Sequence, residues 1–128
     1  MTNGLTFRAL RGANVARLPQ FRNANGAAAH LKEDGSDWTP AQWLQAVVGE
    51  LGEYANKRKK YERGDISYEE FWTEAWKELA DVVIYLDLLA LQLNIDLGVA
   101  VMDKFNEVSE RVGSSVRLDA HDWYHTRT

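Results

Sequence analysis

A chain of 128 residues, 45% hydrophobic and 27% charged, is long enough for one domain around a single core. Its formal charge of -4 and pI near 5.3 exclude a surface built to coat nucleic acid, which would be basic. The lack of any cysteine excludes a disulfide framework and thiolate metal or redox sites. No uncharged apolar run is long enough to span a bilayer, and Met1 to Gly4 lacks the basic start of a secretory signal. The expectation is a cytoplasmic domain with neither membrane nor nucleic-acid partner.

Leu5 to Leu18 reads as a first helix, weakened at Gly12 and stopped near Pro19. Residues 20–37 are irregular, and only Ala27 to Leu31 has the composition of a helical turn. Residues 1–38 are thus expected to be an N-terminal helix and loop packing on the core. Thr39 is a natural N-cap, Pro40 suits the first helical position, and Gln42 completes a capping box. Trp43, Leu44, Val47, Val48, Leu51, Tyr54 and Ala55 then fill one arc of a second helix. Glu50 falls at the edge of that arc and Glu53 just outside it. The basic run Lys57 to Lys60 is expected to fray, and Gly64 and Asp65 to turn the chain. Ser67 and Glu70 form another capping box, opening a third helix that runs to about Leu93.

Between Leu79 and Leu93 the only charged residues are Asp81 and Asp87, so this helix is apolar nearly all round. One small subunit cannot cover that much apolar surface, which implies a partner subunit. Asn94 ends the helix, Asp96 caps a fourth from Leu97 to Val112, and Gly113 stops it. Residues 39–113 form the catalytic helical core in this reading, and 114–128 a tail without a sustained period. The expected fold is one all-α, four-helix-bundle-type domain that oligomerises, as a homodimer or a dimer of dimers.

Two acidic pairs carry the chemistry. Glu50 and Glu53 share one helix face, as do Glu78 and Asp81, because residues three apart project together. Carboxylates in core-forming segments are costly unless a cation or hydrogen bonds compensate them. An antiparallel hairpin would bring both pairs together, and four such groups repel unless a cation neutralises them. All-oxygen ligation selects a hard ion, Mg²⁺ first and Mn²⁺ second, and Mg²⁺ in such sites keeps positions for phosphate oxygens. The plainer alternative is a solvated acidic face paired with lysines such as Lys57 and Lys77.

The run from Thr39 and Pro40 to Glu50 and Glu53, then Glu78 to Asp81 and Tyr85, then Ile95 and Asp96 to Lys104 and Arg111, resembles the MazG-like all-α nucleoside triphosphate pyrophosphohydrolases and their dCTP pyrophosphatase relatives. The resemblance covers roughly residues 39 to 112, in order and with compatible spacing. It implies Mg²⁺-dependent hydrolysis of (d)NTP at the α-phosphate, giving (d)NMP and pyrophosphate. It also implies metal ligation by Glu50, Glu53, Glu78 and Asp81, with Glu50 or Glu53 activating water. By the same resemblance Tyr85 lies near the sugar, and Lys104 and Arg111 meet phosphate oxygens. The chain departs from the family at Val108, where relatives carry asparagine, and at Val112 and Gly113, in place of an R-Y-P-like ending. Asn106 is the candidate to take over the missing polar role. The alternatives are a related all-α hydrolase of dUTP, dUDP or phosphoribosyl-ATP, and a non-catalytic helical dimerisation or regulatory module.

For the base, Trp38 is the expected stacking platform, with edge contacts from Phe21, Arg22, Asn23 or Asn25. Trp43, Trp72 and Trp76 sit at helical period with other apolar residues and read as core. His121 and His125 have the spacing of a metal pair but no third ligand nearby, and read as tail residues.

Overall fold

A computed structural model describes residues 4–119. The Met1 end of the signal-peptide reading and the His121/His125 pair lie outside the described residues. The described chain is all-α, with four helices: α1 (Phe7–Arg17), α2 (Pro40–Glu62), α3 (Tyr68–Gln92) and α4 (Leu97–Arg111). No single one of these helices is long and apolar enough to cross a membrane.

Local chemistry sets the helix starts. The Thr6, Thr39, Ser67 and Asp96 side chains each accept a backbone N–H from the first turn of their helix. At Thr39 the Gln42 side chain returns the bond, completing the capping box. Gly64, at φ 81°, turns the chain between α2 and α3, and Asn94, at φ 56°, breaks α3 from α4. α4 consequently departs at 102° to α3.

α2 and α3 pack side by side along their length as an antiparallel hairpin. Tyr61 lies on Phe71 at 5.3 Å, Lys57 reaches Glu74 at 4.0 Å, and Glu50 meets Glu78 further along. α1 crosses α3 and α4 rests on α1. At that crossing a Cβ on Gly98 would sit 3.1 Å from Phe7 Cβ, so a larger residue there requires Phe7 to give way by a few tenths of an ångström.

A polar lock fixes α1. Asp87 is only 1% exposed, yet Arg11 Nε donates to its two carboxylate oxygens at 3.1 and 3.2 Å and Asn14 Nδ2 donates at 3.0 Å. Arg11 also donates to Ile95 O at 2.8 Å, tying the α3–α4 break into the same network. Satisfied in this way, a buried carboxylate is tolerable.

Three expectations are corrected. Lys57 to Lys60 does not fray: α2 continues to Glu62, held by Lys57–Glu74 and by Arg58–Glu62 at 2.9 Å. Ala27 to Leu31 makes no helical turn; instead single antiparallel bridges join Arg22 to Ala28 and Leu31 to Asp37, folding the loop on itself. Trp72 and Trp76 are not core but 51% and 66% exposed, because α3 turns a different stripe toward α2. Among the described residues the buried apolar side chains are Trp43, Val47, Phe71, Leu88 and Ala90.

Candidate functional site

Midway along the hairpin the two acidic pairs meet. One carboxylate oxygen from each of Glu50, Glu78 and Asp81 lies within 4.8 Å of the others, with Glu78 buried and its two neighbours half-buried. Glu53 adjoins them, its carboxylate close enough to share a proton with Glu78. The geometry follows from i, i+3 spacing on two helices that run antiparallel.

The electrostatics follow from burial and crowding. Loss of solvent pushes the Glu78 carboxyl up to about 7, reinforced by hydrogen bonding with Glu53 and Glu50 and by their charges. Glu50 is raised as well, chiefly by burial and then by the charges of Glu53 and Asp81, against a lowering contribution from its contact with Glu78. Glu78 Oε2 is buried with no hydrogen-bond donor. Either a proton or a cation must relieve such a group. The donor set is carboxylate oxygen throughout, which fits a hard divalent cation such as Mg²⁺ or Mn²⁺.

A second feature adjoins the cluster. His30 stacks on Trp43 at 4.9 Å and meets Trp38 and Phe21 edge-on at 4.8 and 5.1 Å. His30, Trp38 and Trp43, with Leu18, Arg22 and Gln92, line a cavity of about 340 Å³. Two buried polar atoms in its wall, His30 Nδ1 and Trp43 Nε1, have no hydrogen-bond partner. Burial lowers the His30 pKa, so its ring is neutral near pH 7.

Tyr85 joins the two features. Its ring lies 6.3 Å from Trp43. Burial raises its phenol, helped by the nearby charges of Glu50 and Asp81 and opposed by Arg17. Arg17 itself sits over the Phe21 ring at 5.3 Å.

The structure therefore brings together Glu50, Glu53, Glu78, Asp81 and Tyr85, with Trp38 in the adjoining cavity. Lys104, Asn106 and Arg111 lie on α4, which packs against α1. Lys104 is exposed and paired with Glu107 at 2.9 Å. Asn106 is occupied by the chain itself: it donates to Leu118 O at 2.8 Å and accepts from Leu118 N at 2.7 Å, holding the tail against α4. Arg111 is exposed in the last turn of α4. No hydrogen bond or ion pair among the described residues joins these three to the carboxylates. Of the expected edge residues, Asn23 caps its own turn, accepting from Asn25 N and Ala27 N, while Arg22 lines the cavity.

Sequence reasoning missed His30 and Arg17. A lone histidine in an irregular loop carries no periodic or motif signal, and only the loop bridges bring it to Trp43. Trp43 is core as expected, yet one edge of it also forms cavity wall.

Searches of protein-family models and of curated proteins give no match to this chain.

Proposed function

We propose that the protein is a Mg²⁺-dependent, MazG-like nucleoside triphosphate pyrophosphohydrolase that cleaves (d)NTP to (d)NMP and pyrophosphate. One observation above all supports this: the buried Glu78 Oε2, without a donor, inside a convergence of carboxylates next to an aromatic cavity. Glu50, Glu78 and Asp81 would hold the ion, with Glu53 at their edge. When bound, the ion supplies positive charge against the triphosphate and the developing charge at phosphorus.

The chain's own groups do the remainder. Glu53, or Glu50, orients a water and takes its proton as the water oxygen bonds to the α-phosphorus. The bond from that phosphorus to the bridging oxygen breaks, and pyrophosphate leaves with the electron pair. The base lies in the cavity against Trp38 and His30, whose flat faces stack with any nucleobase. A volume of about 340 Å³ suits a base and part of a sugar, with Tyr85 on the side toward the carboxylates. In this scheme the protein works on the cytoplasmic nucleotide pool as an oligomer in which four helices complete the bundle.

The test is direct. The full chain is incubated with Mg²⁺ and each (d)NTP, and products are resolved by anion-exchange chromatography. Pyrophosphate and nucleoside monophosphate are expected, and Glu53→Gln should lower turnover at least 100-fold at saturating metal and substrate. Release of single phosphate would assign a different hydrolase, and unchanged turnover in Glu53→Gln would remove the mechanism.

A further inference from the structure

The carboxylate cluster carries a surplus of negative charge for any phosphate that approaches it. Glu50, Glu53, Glu78 and Asp81 converge there, and a single divalent cation offsets only part of their combined charge. Phosphate oxygens arriving at such a place need a fixed cation of the protein as well. Lys104 does not supply it within the chain, being paired with Glu107 on α4 at 2.9 Å.

Arg17 stands where such a cation is wanted. α1 crosses α3 where Asn14 donates to Ile84 O and Asp87 Oδ2, at 3.3 and 3.0 Å. Arg17 follows one turn later, roughly 4.5 Å along the axis. The chain then passes through Leu18 and Pro19, which line the aromatic cavity. On α3 the residue after Ile84 is Tyr85, one turn from Asp81. The charges of Arg17, Glu50 and Asp81 all act on its phenol. Arg17 thus lies at the junction of cavity and carboxylates. Its guanidinium sits over the Phe21 ring at 5.3 Å, and Phe21 meets His30 in the cavity wall at 5.1 Å. Among the described residues no ion pair engages it. Arg22, also in the cavity wall, is by contrast folded onto its own backbone, donating to Pro19 O and Phe21 O at 2.6 and 3.0 Å. A guanidinium held over an aromatic ring is already partly ordered and keeps N–H donors free for a phosphate.

We propose that Arg17 holds the α-phosphate of the bound nucleotide, and so makes the site distinguish a nucleoside 5′-monophosphate from the bare nucleoside. The inference rests on the nucleotide reading of the site. The α-phosphate is singled out because it is the one joined to the sugar, and Arg17 lies between the base cavity and the carboxylates. It is also the phosphate that the product keeps, so the same contact retains the monophosphate after pyrophosphate leaves. A cation in the last turn of α1 suits the helix dipole too. That role, however, is blind to whether the ligand carries a phosphate.

The test uses binding rather than turnover. Calorimetry on the full chain with saturating Mg²⁺ measures the affinity of each deoxynucleoside and of its 5′-monophosphate. Arg17→Gln should weaken monophosphate binding roughly 10- to 100-fold, the range for a hydrogen bond to a charged group, and leave nucleoside binding unchanged. Arg17→Lys, which keeps the charge without the planar fork, should fall between the two. Arg8→Gln, on the same helix, controls for net charge and should alter neither affinity. An equal loss for both ligands, no loss in Arg17→Gln, or a matching loss in Arg8→Gln would overturn the assignment of Arg17 alone. Wild-type protein that binds neither ligand would overturn the nucleotide reading and this inference with it. A selective loss in a protein that hydrolyses no triphosphate would support Arg17 while removing the hydrolase.

Discussion

In the proposed site a proton and a cation would compete for the same oxygens at Glu78, and the competition has a size. The group titrates at about 7 in the cation-free protein, against an ordinary value of 4.5. With one such proton to displace, the apparent dissociation constant for the ion exceeds its intrinsic value about 1.1-fold at pH 8, about 2-fold at pH 7 and about 11-fold at pH 6. Binding should therefore weaken roughly tenfold from pH 8 to pH 6. Titration with Mn²⁺, reading the free ion by electron paramagnetic resonance, measures this directly, and Mg²⁺ competition extends it. Calorimetry in two buffers of different ionisation enthalpy should detect release of about half a proton per ion at pH 7. Glu78→Gln should bind the ion far more weakly and lose the pH slope. Affinity that is flat from pH 6 to pH 8, without proton release, would refute the assignment of Glu78 as a buried ligand.

The same shift sets the sign of the pH dependence of stability. A carboxyl raised in the folded state keeps a proton that the unfolded chain has lost, so its contribution is fully present below pH 4.5 and lost as pH rises to about 7. Thermal melts in EDTA should show this loss, and Mg²⁺ should restore stability above pH 7. Trp38→Ala should raise KM about 5- to 150-fold, the range for removing one stacking face, with little change in kcat; steady-state kinetics on the preferred nucleotide would show it. Asp87→Ala strips the partner from Arg11 and Asn14 at a side chain 1% exposed, and should cost about 3–5 kcal/mol in urea unfolding. Gly98→Ala should destabilise by about 1–3 kcal/mol through its clash with Phe7. By contrast, Gly12→Ala, in open space on α1, should stabilise by about 0.4–1 kcal/mol.

What the sequence made legible was local. Thr39, Ser67 and Asp96 mark helix starts because capping depends on residues three apart. The acidic pairs were visible for the same reason, since i, i+3 spacing needs only a helix. What lay beyond reach depends on distant partners. Asp87 stood out as a charge in an apolar run, but its explanation, Arg11, is 76 residues away. The His30–Trp38–Trp43 assembly forms only when two single bridges close the 21–38 loop. Periodicity marks apolar stripes on α3 but not which stripe faces inward, so Trp72 and Trp76 read as core while lying in solvent. The end of α2 was misplaced because a run of like charges looks unfavourable until Glu62 and Glu74 neutralise it.

The two buried carboxylates of α3 make the strongest internal comparison. Glu78 and Asp87 share one helix, and both are largely removed from solvent. Around Asp87 the fold supplies a guanidinium and an amide from α1, with donors at 3.0 to 3.2 Å. Around Glu78 it supplies three more carboxylates and no donor for Oε2. A chain that satisfies one buried acid so fully has no chemical obstacle to satisfying the other. A lysine or asparagine at position 50 or 53 would suffice, and the apo protein would be more stable for it. Surrounding Glu78 with acids instead destabilises the cation-free protein above neutral pH and gains nothing for packing. Selection of a site that a divalent cation completes is the physical account in which that arrangement has a use.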